Sequence, residues 1–152
     1  MTPWDIDWVW SLPLIAVSVI VHVIGLLLIF RGVVNMMRRA TDRRRCAPMF
    51  IAVIGSAALL ATLLHGLEGG LWALAYRSLG ALPDDRSAML YSLSAMTSYG
   101  HANLYLKDEW QLMGALEALN GWLLFGLTTA FLFAMFREVW DMEKQARHRN
   151  GV

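Results

Sequence analysis

Polar and apolar positions along the chain fall into long blocks. Leu12 to Phe30 is apolar with His22 as its only ionisable side chain, and Ala47 to Leu67 repeats the pattern around His65 before continuing past Glu68 through GGLWALAY to Arg77. Leu112 to Phe136 is interrupted only by Glu117. At about 1.5 Å of rise per helical residue, each block is long enough to cross roughly 30 Å of hydrocarbon. The pattern predicts three spanning helices. A shorter uncharged stretch, Ser87 to Met96, follows LPDDR and leads into TSYGH. About ten residues cannot span a bilayer, so this stretch predicts a re-entrant half-helix. Asp84 and Asp85 at its start are placed to cap free amides and to complement the positive end of the helix dipole. Its C-terminal end then points toward the membrane interior, where non-helical backbone requires burial in protein or a water-filled axis.

Charge orients these elements. The segment RGVVNMMRRATDRRRC carries Arg31, Arg38, Arg39, Arg43, Arg44 and Arg45, and the tail after the third block adds Arg137, Lys144, Arg147 and Arg149. Positive residues concentrate on the cytoplasmic side, so both clusters predict the same topology: N-terminus outside, C-terminus cytoplasmic, in the inner (plasma) membrane. Asp5, Asp7 and the tryptophans Trp4, Trp8 and Trp10 then sit at the outer boundary, where Arg77, Arg86 and Lys107 also fall. A cleaved signal peptide is disfavoured by the acidic residues before the first block and by the block's length. The arginine cluster is read as orientation and attraction to anionic headgroups rather than as a nucleic-acid surface.

Composition narrows the chemistry. Hydrophobic residues make up 57% of the 152 positions and charged residues 16%, as expected of a membrane chain. The single cysteine, Cys46, excludes an intrachain disulfide framework, and no Cys/His spacing suits structural zinc. There is no Ser/His/Asp, Cys/His, P-loop or paired-carboxylate signature, so no enzyme and no resident cofactor is expected.

The segment from about Leu82 to Phe136, with YSLSAMTSYGH followed by EWQLMGALEALNGWLLFGLTTAFLF, resembles the pore-loop superfamily of potassium channels, in particular small bacterial channels of the two-transmembrane pore type. Trp110, Gly114, Glu117, Asn120, Gly121, Gly126 and Thr129 carry that resemblance in the last block. It implies an all-α membrane protein with three transmembrane helices plus a re-entrant pore helix and filter loop per subunit, four subunits forming one pore in the lipid bilayer. The implied organisation is an outer N-terminus and peripheral helix (1–31), a cytoplasmic Arg-rich loop (32–46), a pore module (47–136) and a cytoplasmic tail (137–152). The implied cargo is a monovalent cation, K+ or Na+, whose hydration shell the filter carbonyls replace. The alternative is a non-conducting pore-like protein serving as an interaction or sensing subunit.

Family filters read Thr-Val/Ile/Leu-Gly-Tyr-Gly-Asp. Aligned on Tyr-Gly, Met96, Thr97, Ser98, Tyr99, Gly100 and His101 occupy those positions, and four of the six depart from the pattern. Ser98 would take a glycine position that favours positive φ, Met96 removes a hydroxyl, and His101 replaces a carboxylate at the outer mouth. A second register places Thr97 on the family threonine and shortens the filter by one residue. Weak selectivity is the expectation. In the last block, Glu117, Asn120, Gly121, Leu124, Thr128 and Phe131 share helical spacing as pore-lining candidates, and Gly121 and Gly126 are candidates for hinge or close-packing roles.

Ionisable residues inside spans complete the reading. Glu117 is expected to form a ring around the pore, to brace the filter from behind, or to reach the interface near Lys107. His65 and Glu68, three apart, are expected to bond each other and, with Asp84 and Asp85, to support the filter. His22 is placed near mid-membrane and His65 near the outer face, about 10 Å or more apart in depth, which argues against a shared metal or haem.

Overall fold

The computed structural model describes residues 3–40, 46–97, 99–100 and 104–149. Within them the chain is all-α, with α1 (Pro3–Ala40), α2 (Cys46–Ser78), the shorter α3 (Asp85–Thr97), a single 3-10 turn (Asp108–Trp110) and α4 (Gln111–Arg149). Trp4–Met37, Ile51–Ser78 and Asp108–Met142 are long and apolar enough to cross a membrane, which makes this a candidate multi-pass membrane protein.

All three long helices exceed the apolar blocks that announced them. α1 begins at Pro3 and carries through Ala40, so most of the expected Arg-rich loop continues the helix, and residues 41–45 lie outside the described ones. α2 runs unbroken through Gly69 and Gly70 to Ser78, and α4 extends into the basic tail as far as Arg149. The reason is physical: an apolar run marks the length that lipid tolerates, whereas a nucleated helix gains about one hydrogen bond per added residue and continues through polar positions, and in α1 even through Pro13.

The arrangement is inside-out by soluble standards. Exposed positions include Ile20, Leu28, Leu59, Leu63, Leu67, Leu119, Trp122, Phe125 and Phe133. In contrast, Asp7, Ser11, Ser18 and His22 fall on one buried stripe of α1 that continues into Leu26, Val33 and Met37. Asp7 is thus only 4% exposed, and it approaches the Met113 amide in the first turn of α4. Lipid tails are as apolar as leucine, so helices are held in a membrane by close packing and polar bonds rather than by expulsion from water. Small residues provide the approach: a Cβ at Gly25 would lie 2.6 Å from Leu64 Cδ2, and Ala57 and Ala61 are buried.

Two apolar clusters result. One gathers Trp72, Tyr76, Ala88, Tyr91, Trp110 and Met113 around α3, and the other gathers Val33, Met37, Val53, Ala57, Met135 and Val139 at the opposite end. Each draws on the early part of one helix and the late part of another, so α1 and α4 run antiparallel to α2. Between the clusters lies a layer of buried polar side chains.

Candidate functional site

α3 is fixed at both ends. Asp84 is its N-cap: Oδ1 accepts from the Ser87 amide at 2.9 Å and Oδ2 from the Ser87 hydroxyl at 2.7 Å. These bonds from Ser87 hold the Asp84 carboxyl below its usual range, so the ionised cap is the favoured form. Asp85 instead pairs with Arg77, Nε to Oδ1 at 2.6 Å, while the same guanidinium donates to the carbonyls of Leu82 and Pro83 and so ties the 79–84 turn to the end of α2.

At its other end α3 remains helical through Thr97, whose hydroxyl donates to the Leu93 carbonyl at 2.6 Å, and Tyr99 N–H closes the helix on Ser94 O at 3.1 Å. Met96 is buried inside the last turn. Both Met96 and Thr97 are therefore helical rather than part of an extended strand. Tyr99 is 85% exposed, and Gly100 adopts φ +85°, a backbone conformation that costs a residue bearing Cβ about 1 kcal/mol or more. Ser98 and His101 lie outside the described residues.

Behind α3 sits a buried carboxyl. Glu117 on α4 accepts from Tyr76 of α2 (Oη to Oε2, 2.6 Å) and from the Ser92 hydroxyl of α3, which also reaches the Gly69 carbonyl at 2.8 Å. Glu117 thus braces α3 against α2 and α4 within one chain. The remaining pore-lining candidates turn the same way. Asn120, Gly121, Leu124 and Thr128 are buried against the chain's own helices, and Phe131 packs on the second apolar cluster. Gly121 meets the backbone of Met96, where a Cβ would lie 2.6 Å from Met96 Cα, and Gly126 meets nothing within 4 Å. Both side-chain polar atoms of Asn120 are buried without a partner among the described residues.

The second polar group lies deeper in the bundle. His22 Nδ1 is 2.8 Å from Glu68 Oε1, and His65 Nδ1 is 3.3 Å from Glu68 Oε2, the expected contact across one helical turn. Thr128 Oγ1 is 3.0 Å from His65 Nε2 and 3.1 Å from His22 Nε2. Trp72 Nε1 donates to Ser18 Oγ at 3.2 Å beside them. The expected separation of the two histidines is corrected here: their ring centroids are 5.1 Å apart. Because α2 continues to Ser78, His65 lies in its interior rather than at its end, level with His22 of α1.

Tyr76, Ser92 and Ser18 had not been singled out in the sequence. For Ser18 a signal existed: Asp7, Ser11, Ser18 and His22 recur at spacings of one stripe on an otherwise apolar helix. Comparisons of the chain with protein-family models, with curated proteins and with solved structures found no match.

Proposed function

We propose that the chain is one subunit of a homotetrameric membrane pore that passes monovalent cations, K+ or Na+, through a divergent filter following α3. The observation that carries this reading is α3 itself. Its thirteen residues, about 20 Å at 1.5 Å per residue, are too few to span a bilayer, yet the helix is capped and packed against spanning helices. It delivers its negative C-terminal end to an exposed, non-helical Tyr99-Gly100. One such element per chain does not enclose a path. Several copies around an axis would cover these surfaces and focus α3 dipoles on a permeating cation.

The helix end also favours a different filter register from the Tyr-on-Tyr alignment. With Thr97 as the last helical residue, the six that follow set Ser98 on the family threonine, Tyr99 on the aliphatic position and Gly100 on the first glycine. His101, Ala102 and Asn103 then fall on tyrosine, glycine and aspartate. Gly100, at φ +85°, supplies the conformation that a filter glycine is needed for. Selectivity then differs from the family through His101, Ala102 and Asn103 rather than through Met96 and Ser98.

Bi-ionic reversal potentials in planar bilayers test both parts. The triple variant His101→Tyr, Ala102→Gly, Asn103→Asp is expected to raise K+ preference over Na+, and Met96→Thr with Ser98→Gly is expected not to. The opposite pattern in conducting proteins would restore the Tyr-on-Tyr register.

A further inference from the structure

The polar layer between the two apolar clusters holds more than a structural hydrogen bond requires. His22 from α1 and His65 and Glu68 from α2 present ligand atoms that all lie within 4.8 Å of one another, and His22 and Glu68 are buried. The ring orientations are the informative part. Both Nδ1 atoms face the two oxygens of one carboxylate, and both Nε2 atoms face one hydroxyl, Thr128 Oγ1. A hydroxyl oxygen has two lone pairs, so Thr128 is able to accept from both Nε2–H groups at once. With both Nε2–H groups donating to Thr128, each imidazole takes the tautomer whose free lone pair is on Nδ1, toward the carboxylate, which is the form that binds a metal; with no ion present, an Nδ1–H donating to Glu68 fits the same positions.

In the metal-binding tautomer, two nitrogen lone pairs and a carboxylate converge on one point, an arrangement that a cation between them satisfies. An independent observation agrees: Glu68 Oε2 is buried and makes no hydrogen bond among the described residues, its 3.3 Å approach to His65 Nδ1 notwithstanding. With metal–ligand bonds of about 2.0–2.2 Å, tetrahedral geometry puts neighbouring ligand atoms roughly 3.3 Å apart. The separations of 2.8 and 3.3 Å found here need little adjustment to meet that.

We propose that His22, His65 and Glu68 form a binding site for one divalent first-row transition-metal ion, with Thr128 orienting both histidines from behind. Two imidazoles and one carboxylate suit Zn2+, Fe2+, Co2+ or Ni2+ and disfavour Mg2+ and Ca2+, which select all-oxygen cages. Three protein ligands leave a coordination position for water or another exogenous ligand. The side chain of His65 is 25% exposed and supplies the route of approach. Bound there, the ion offsets the burial of a carboxylate in a span and ties α1 to α2, with α4 joined through Thr128.

The full-length protein in detergent, stripped with chelator and desalted after incubation with Zn2+ or Co2+, is expected to retain about one ion per chain. The Co2+ form is expected to show visible d–d absorption. His65→Ala and Glu68→Gln should lose both signals, and Thr128→Val should weaken affinity by roughly 10–100-fold with all three ligands intact. His148→Ala, which changes a tail histidine, should bind as the parent does. Folded wild-type protein that retains neither ion overturns the site, and so does undiminished binding by the His22→Ala, His65→Ala double variant.

Discussion

Gly121→Ala is expected to unfold several degrees below the parent protein and to lose ion conduction, whereas Gly126→Ala lowers neither. The added Cβ at position 121 would lie 2.6 Å from Met96 Cα, 2.7 Å from Met96 O and 3.0 Å from Met96 Cβ. Two of those three atoms are backbone and cannot rotate away, so the last turn of α3 must move off α4. Overpacking of this kind costs about 1–3 kcal/mol. For a chain of this size that is a fall in Tm of roughly 5 °C, read by circular dichroism on heating in detergent. The same movement displaces Tyr99 and Gly100, which directly follow that turn. Gly126 has nothing within 4 Å, so a methyl there should hold stability at the parental level or raise it by up to about 1 kcal/mol. A Gly121→Ala protein as stable as the parent would mean that α3 and α4 do not meet at this point.

The second large effect is expected at Glu117. Replacing it by alanine leaves the buried Tyr76 hydroxyl without its acceptor and removes one of the two contacts of Ser92, and it also opens a cavity among α2, α3 and α4. An orphaned buried hydroxyl alone costs about 1–3 kcal/mol, and with the cavity the loss is expected to reach roughly 3 kcal/mol or more. Glu117→Gln is the informative control. Its amide carbonyl still accepts from Tyr76 and its N–H is able to donate to Ser92, whose single hydroxyl hydrogen is then left for Gly69. It should fall short of the alanine variant by more than half. Tyr76→Phe combined with Glu117→Gln, measured as a double-mutant cycle in denaturant, is expected to show coupling, since the two side chains share one hydrogen bond. Equal stability of the alanine and glutamine variants would contradict the brace.

These contacts also mark where sequence reading succeeds and where it fails. Blocks of apolar residues were enough for three long helices, and the uncharged Ser87 to Met96 stretch anticipated α3, found at Asp85–Thr97. Capping by Asp84 and the His65–Glu68 pair were legible because both are local, within one helical turn. Glu117 with Tyr76 and Ser92 was not, since its partners lie 41 and 25 positions away and nothing local encodes that choice. His22 failed for a different reason. Periodicity reports which residues share a face, but the axial level at which two helices meet depends on where each begins and ends. α1 starting at Pro3 and α2 running to Ser78 bring together two histidines that the apolar runs alone had set apart. The same N-terminal extension of α1 carries Asp7 into the helix bundle, where it is buried.

The central claim, a cation pathway at the end of α3, is most directly tested by ion flux through purified protein in liposomes. A fluorescent assay with K+ or Na+ gradients of either direction would be run alongside a mass measurement of the subunit count in the same lipid. A four-subunit assembly that dissipates the gradient is the predicted result, with flux abolished by Gly100→Val, which places a branched Cβ at φ +85°. A correctly assembled tetramer that passes neither cation under any gradient would contradict the pore and favour a non-conducting subunit instead.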